Sequence, residues 1–211
     1  MRKSIRATYL VTAALITWVA LSLHFALTLE RSLAHGGAVL GAVALYFSFF
    51  TILTNLLAAL VLTGAAIGWR EASRPGIAAA ITVYLCIVGG VYLVLLRNPY
   101  GPYDLQFAAD ATLHYATPVL FGFYWLVFVR KGSLKWRAPF VWLLYPVAYL
   151  AFSLLRGAMT GFYLYPFLNV AALGYPRVLA SSLLLMVIFL GLGFGAVAID
   201  RMSALSRPET R

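Results

Sequence analysis

His114 and Asp110 stand four residues apart in Asp110-Ala-Thr-Leu-His114, a spacing that puts both on one face of a helix. A carboxylate one turn from an imidazole can hold the ring's tautomer and orientation, as the third member of a nucleophile–base arrangement does. The plainer reading of His114 is a residue that caps the bundle at its interface by bonding a backbone carbonyl. A second polar patch runs through Tyr46-Phe-Ser-Phe-Phe-Thr51-Ile-Leu-Thr54-Asn55, where Thr51 and Asn55 share a face and Thr54 adjoins them. Hydroxyls in apolar helices commonly bond their own preceding turn or a neighbouring helix, so Thr51 taken alone reads as helix glue. His24 falls at a depth similar to that of His114, and two histidines at one level have the chemistry of haem or metal ligands. No other His or Cys shares that level, since His35 lies in a loop. No metal or cofactor is therefore expected, and His24 reads as an interfacial hydrogen-bonding residue.

The elements that must carry these residues follow from composition. The 211-residue chain has 16 Lys and Arg against 6 Asp and Glu, 10% charged and 63% hydrophobic residues, and a mean hydropathy of +0.91. Soluble domains carry roughly 25% charged residues. The net charge of +10 is dispersed between long apolar runs, so nucleic acid is excluded as a partner and membrane lipids are expected instead. The lone Cys86 has no partner for an internal disulfide and reads as a small inert hydrophobe.

A helix crossing the hydrocarbon core needs about 20 apolar residues. Uncharged stretches place six such spans, near 7–29, 44–67, 77–96, 111–129, 138–155 and 178–199. Backbone groups in lipid must satisfy one another, and no alternating pattern of a β-barrel is present, so the fold class is an all-α six-helix membrane bundle in one domain. The segment Gly157–Pro176 is also uncharged but is broken by Gly157, Gly161, Pro166, Gly174 and Pro176, and is predicted to be an interfacial loop or re-entrant piece. The first run is too long for a secretory h-region of about 7–15 residues and reads as an uncleaved anchor. The tail Met202–Arg211 is predicted to fray.

Charge orients the bundle. With six spans, twelve cations fall on one side, in the groups Arg2 to Arg6, Arg70 and Arg74, Arg130 to Arg137, and Arg201 to Arg211; four fall on the other. Both termini are thereby predicted to be cytoplasmic. On that topology Thr51 lies roughly 10 Å, and His114 roughly 6 Å, below the outer face at 1.5 Å per residue. The two are predicted to meet in the outer half of the bundle.

Phe49-Phe50-Thr51 with Thr54-Asn55-Leu56, then His114 with Pro118 and Trp125, then Tyr145-Pro146, Arg156-Gly157 and Tyr163-Leu-Tyr165-Pro166-Phe167-Leu168, resemble in order and spacing the bacterial six-helix Pr-six-Pr membrane proteins. That group is similar in turn to the animal androgen-induced and androgen-dependent TFPI-regulating proteins, intramembrane threonine hydrolases of fatty acid esters of hydroxy fatty acids. The resemblance implies a bacterial inner-membrane protein with Thr51 as nucleophile and His114 as base, acting on a lipid-like ester. Animal members have Asn where this chain has Asp110. Asn55 would then donate to the oxyanion, with Thr54 second, and Arg156 would hold a free carboxylate of the substrate unless it snorkels to lipid phosphate. Two other classes compete: a small-molecule transporter, disfavoured because the spans hold no buried charges along a through-path, and a structural or binding protein whose Thr, Asn and His only join helices.

Overall fold

The computed structural model describes residues 2–96 and 104–205. Arg97, Arg207 and Arg211, counted above, and the tail beyond Leu205 lie outside the described residues. All regular elements among those described are helical: α1 (Arg2–Ala34), α2 (Val39–Tyr46), α3 (Phe50–Ala66), α4 (Pro75–Val91) running into a π-turn (Tyr92–Leu96), α5 (Leu105–Ala111), a second π-turn (Thr112–Ala116), α6 (Thr117–Phe128), α7 (Ala138–Trp142), α8 (Leu144–Thr160), a 3₁₀ turn (Pro166–Leu168) and α9 (Val170–Leu205). Five helical stretches are long and apolar enough to cross a membrane, or six if the bent pair α2 and α3 is one span. Large apolar side chains such as Val19, Val94, Val119, Val141, Leu155 and Leu183 are exposed. A surface of that kind suits lipid rather than water. Among the described residues every regular element is helical, and the five or six long apolar helices fit a multi-pass membrane protein.

The helices depart from the expected spans at identifiable places. The predicted helix 44–67 is broken at Phe47–Phe49, and α2 and α3 meet at 75°. Ser48 causes part of this: its hydroxyl donates to Ala44 O at 2.5 Å while its amide turns back to Leu45 O at 3.0 Å, so the chain closes on itself before α3 starts. The Tyr46 hydroxyl pins the end of α2 to α1 by donating to Leu21 O at 2.7 Å. The fourth span begins at Leu105 rather than at residue 111, because Asp104 caps it, its carboxylate accepting Phe107 N at 2.9 Å. Asp110 thus sits inside the helix, not before it. The sixth runs from Val170, with Gly174 at φ 74° marking a kink, and stays helical through Met202 to Leu205, where a frayed tail is predicted. The first and fifth are longer than predicted, Arg2–Ala34 and Ala138–Thr160, and the third, Pro75–Leu96, nearly coincides with its expectation.

The chain divides into two compact units, Met1–Arg130 and Lys131–Arg211. In the first, α1 packs along α3 through Ala20, Leu21, Ile52 and Ala59, with Leu113 in the same cluster. Small alanines let the backbones approach closely. Polar pairs tie the helices further: Trp18 Nε1 donates to Thr63 Oγ1 at 3.1 Å, and the fully buried Thr17 and Thr117 hydroxyls meet at 3.4 Å. In the second unit, α7 abuts α9 where a side chain on Gly193 would strike Pro139. The segment 157–176 splits between the end of α8, a loop with the 3₁₀ turn, and the start of α9; Gly161 at φ 71° ends α8 in the left-handed conformation glycine favours.

Candidate active site

The break before α3 decides where Thr51 stands. Phe49 is the N-cap and offers no side-chain acceptor, so Thr51 is the second residue of α3, in its first turn, instead of a residue seven deep in an unbroken helix. Its N–H, like that of Ile52, has no acceptor within its own helix, and the helix dipole is positive at that end.

His114 is carried by the second π-turn. Thr117 N donates to Thr112 O, five residues back, so one extra residue is accommodated in this helix. The ring is buried, and its Nδ1 lies 2.8 Å from Asp110 O. A carbonyl only accepts, so Nδ1 carries the hydrogen and the neutral ring presents the Nε2 lone pair. That lone pair faces Thr51 Oγ1 at 3.3 Å. Tyr92, in the first π-turn, stacks on the imidazole with centroids 3.9 Å apart and planes 19° from parallel. The two π-turns can approach because position 89 is glycine: a Cβ there would lie 2.8 Å from His114 O.

The expected carboxylate-to-imidazole contact is not what orients the base. Asp110 does so through its backbone carbonyl, while its carboxylate Oδ1 accepts from Gln106 Nε2 at 3.1 Å and pairs with His24 Nε2 at 3.3 Å. Both residues still serve one assembly, since the His24–Asp110 pair ties α1 to the segment that holds His114. His114 thus bonds a backbone carbonyl through Nδ1 and faces the Thr51 hydroxyl through Nε2. His24 finds a hydrogen-bonding partner, and no group of three or more potential metal ligands occurs among the described residues.

Asn55 also lies differently from its expected role. Its amide Nδ2 donates to Thr51 O at 2.9 Å and to Leu113 O at 3.2 Å, so it straps α3 to the helix bearing His114 with both hydrogens committed. Neither is left for an oxyanion, and its Oδ1 is buried without a hydrogen-bond partner. Thr54 is fully buried. Arg156 belongs to the second unit, where Nη1 donates to Phe162 O at 3.1 Å and the guanidinium lies over the Phe162 ring at 5.7 Å.

Two participants escape a reading by sequence. Tyr92 looks like any aromatic near a span end, and Gly89 like any small residue in a membrane helix. Nothing local distinguishes them, because their roles come from the approach of α4 to the second π-turn. No family model, no curated protein and no solved structure matches this chain.

Proposed function

We propose that the protein is an intramembrane threonine hydrolase that cleaves lipid-like esters. The observation that carries this reading is the relay from Asp110 O through His114 to Thr51 Oγ1, with the base in the tautomer that accepts the hydroxyl proton. Thr51 Oγ attacks the ester carbonyl carbon as its proton passes to Nε2; the C–O bond to the alcohol then breaks, and Nε2 returns the proton to the departing oxygen. Water repeats the sequence on the acyl-threonine, releasing the acid. Negative charge on the carbonyl oxygen develops beside the first turn of α3, whose N–H groups take the role first assigned to Asn55. An apolar cleft of about 180 Å³ bordered by Trp18, Phe25, Tyr46, Phe47, Ile52 and Leu56 adjoins the same turn and suits an acyl chain. The motif resemblance to the threonine hydrolases points the same way.

Six spans with the bent pair counted as one, both termini cytoplasmic, and a place in a bacterial inner membrane complete the proposal. The charge distribution supports that orientation. In a Cys86→Ala background, a cysteine at Ser133 should resist an impermeant thiol reagent in intact cells while one at His35 reacts; the opposite pattern inverts the topology.

The chemistry is tested by exposing purified protein to a fluorophosphonate probe and mapping the adduct. Capture of Thr51, abolished in both Thr51→Ala and His114→Ala, is the expected result. Hydrolysis of a long-chain ester by folded Thr51→Ala overturns the assignment and leaves the relay as helix glue.

A further inference from the structure

The second unit contains a carboxylate that the proposed chemistry does not use. Asp200, in the last turns of α9, is fully buried, and its Oδ2 accepts both Gly132 N and Leu134 N at 2.9 Å. One carboxylate oxygen thus gathers two amides of a loop 66 to 68 residues away in sequence, and Gly132 at φ 91° supplies the left-handed bend the loop needs to reach it. Buried Leu134 fastens the loop from beneath.

The clasp leaves charge on the outside. Lys135 and Arg137 are exposed on the held loop, and Arg201, the residue after Asp200, is exposed beside it. The Arg201 guanidinium lies 5.6 Å from the centre of the Trp136 ring, which is itself 49% exposed and 6.3 Å from the Phe194 ring. These residues sit where two span-length helices end, since Ala138–Thr160 begins just after Arg137 and Val170–Leu205 finishes just after Arg201. Ends of apolar span-length helices fall at a membrane–water boundary, where tryptophan rings settle among headgroups. Asp200, the one carboxylate among the described residues of the cluster, is buried with its Oδ2 on amides, so the charged side chains described on the exposed face are cations.

We propose that Lys135, Arg137 and Arg201, presented by the Asp200 clasp and anchored by Trp136, form a binding surface for the phosphodiester headgroup of an anionic phospholipid. Guanidinium groups offer paired donors that match phosphate oxygens, and the indole ring fixes Arg201 at the depth of those oxygens. A basic residue at an anionic membrane surface contributes roughly fivefold in affinity, so the three together should prefer phosphatidylglycerol over phosphatidylcholine by a factor on the order of a hundred. The inference does not depend on the hydrolase reading.

Native mass spectrometry of the full-length protein, released from micelles holding equal amounts of phosphatidylglycerol and phosphatidylcholine, tests it. The wild-type chain should retain phosphatidylglycerol. Lys135→Gln, Arg137→Gln and Arg201→Gln combined should lose that preference while keeping the melting temperature, because all three side chains are exposed. Arg177→Gln, which removes an exposed cation near the opposite end of α9, should keep it. Equal retention of the two lipids by wild-type protein, or an unchanged preference in the triple variant, overturns the proposal.

Discussion

Asp110 and Asp200 are both aspartates inside long apolar helices, yet their surroundings use them in opposite ways. Around Asp200 the carboxylate bonds two backbone amides, and the result is a closed loop. Around Asp110 the carboxylate is turned aside to His24 and Gln106, freeing its backbone carbonyl to hold a histidine whose other nitrogen faces a hydroxyl. A polar group buried in a membrane protein is therefore not by itself a sign of chemistry. What separates the two regions is whether the chain of hydrogen bonds ends on backbone or on a proton that can move.

The sharpest way to break the contrast is at the hydroxyl. Thr51→Ala and His114→Ala should each lower ester hydrolysis by a factor on the order of 10⁴, and the double variant should be no worse than either, because nucleophile and base act as a unit. Additive losses in turnover assays would show that the two do not. Asp200→Ala should do the reverse: it leaves a buried amide at Leu134 without its acceptor, costing roughly 1–3 kcal/mol in stability, while turnover per folded molecule stays unchanged. Denaturant titration beside activity measurement reads both.

Gly89→Ala probes the approach of the two π-turns. The added methyl meets backbone at His114 O, which has no flexible end to move, so a stability loss of about 1–3 kcal/mol is expected together with roughly tenfold slower hydrolysis. Normal activity would mean that the stacking of Tyr92 on His114 is dispensable. The smallest effect is expected at the contact between His24 and Asp110. Asp110→Ala keeps the carbonyl that orients His114, so hydrolysis should fall only about fivefold, and adding His24→Ala should cost little more because the pair is already lost.

How far these features could be read in advance differs by residue. The pairing of Thr51 with His114 is legible because polar groups in apolar runs are few, although the depth count behind it assumes an unbroken helix, and the break places Thr51 in the first turn of α3 instead. The helical class and most of the apolar stretches are legible for the same reason. The break before α3 is not, because Phe47-Ser48-Phe49 contains neither Gly nor Pro, and the Ser48 bond to Ala44 O that helps to close α2 is available to any serine in a helix. The i to i+4 spacing correctly sets Asp110 beside His114, but a spacing rule cannot choose between carboxylate and carbonyl. That choice is made by His24, which lies on α1, far away in sequence.

The π-turn at Thr112–Ala116 has a consequence for how this helix tolerates insertions and deletions. It is the imprint of one residue more than an α-helix accommodates, so removing a single residue there would heal the helix at little cost to its backbone bonding. The wide turn spreads over five residues about the rotation that an α-turn spreads over four, so the helix on either side would keep its facing while the residues inside the turn are re-aimed. The ring of His114 would no longer project between Asp110 O and Thr51, although every apolar run would keep a length able to cross the bilayer. A one-codon deletion in this stretch would yield a protein that still inserts as a bundle and has lost its relay, a change that no hydropathy profile would register.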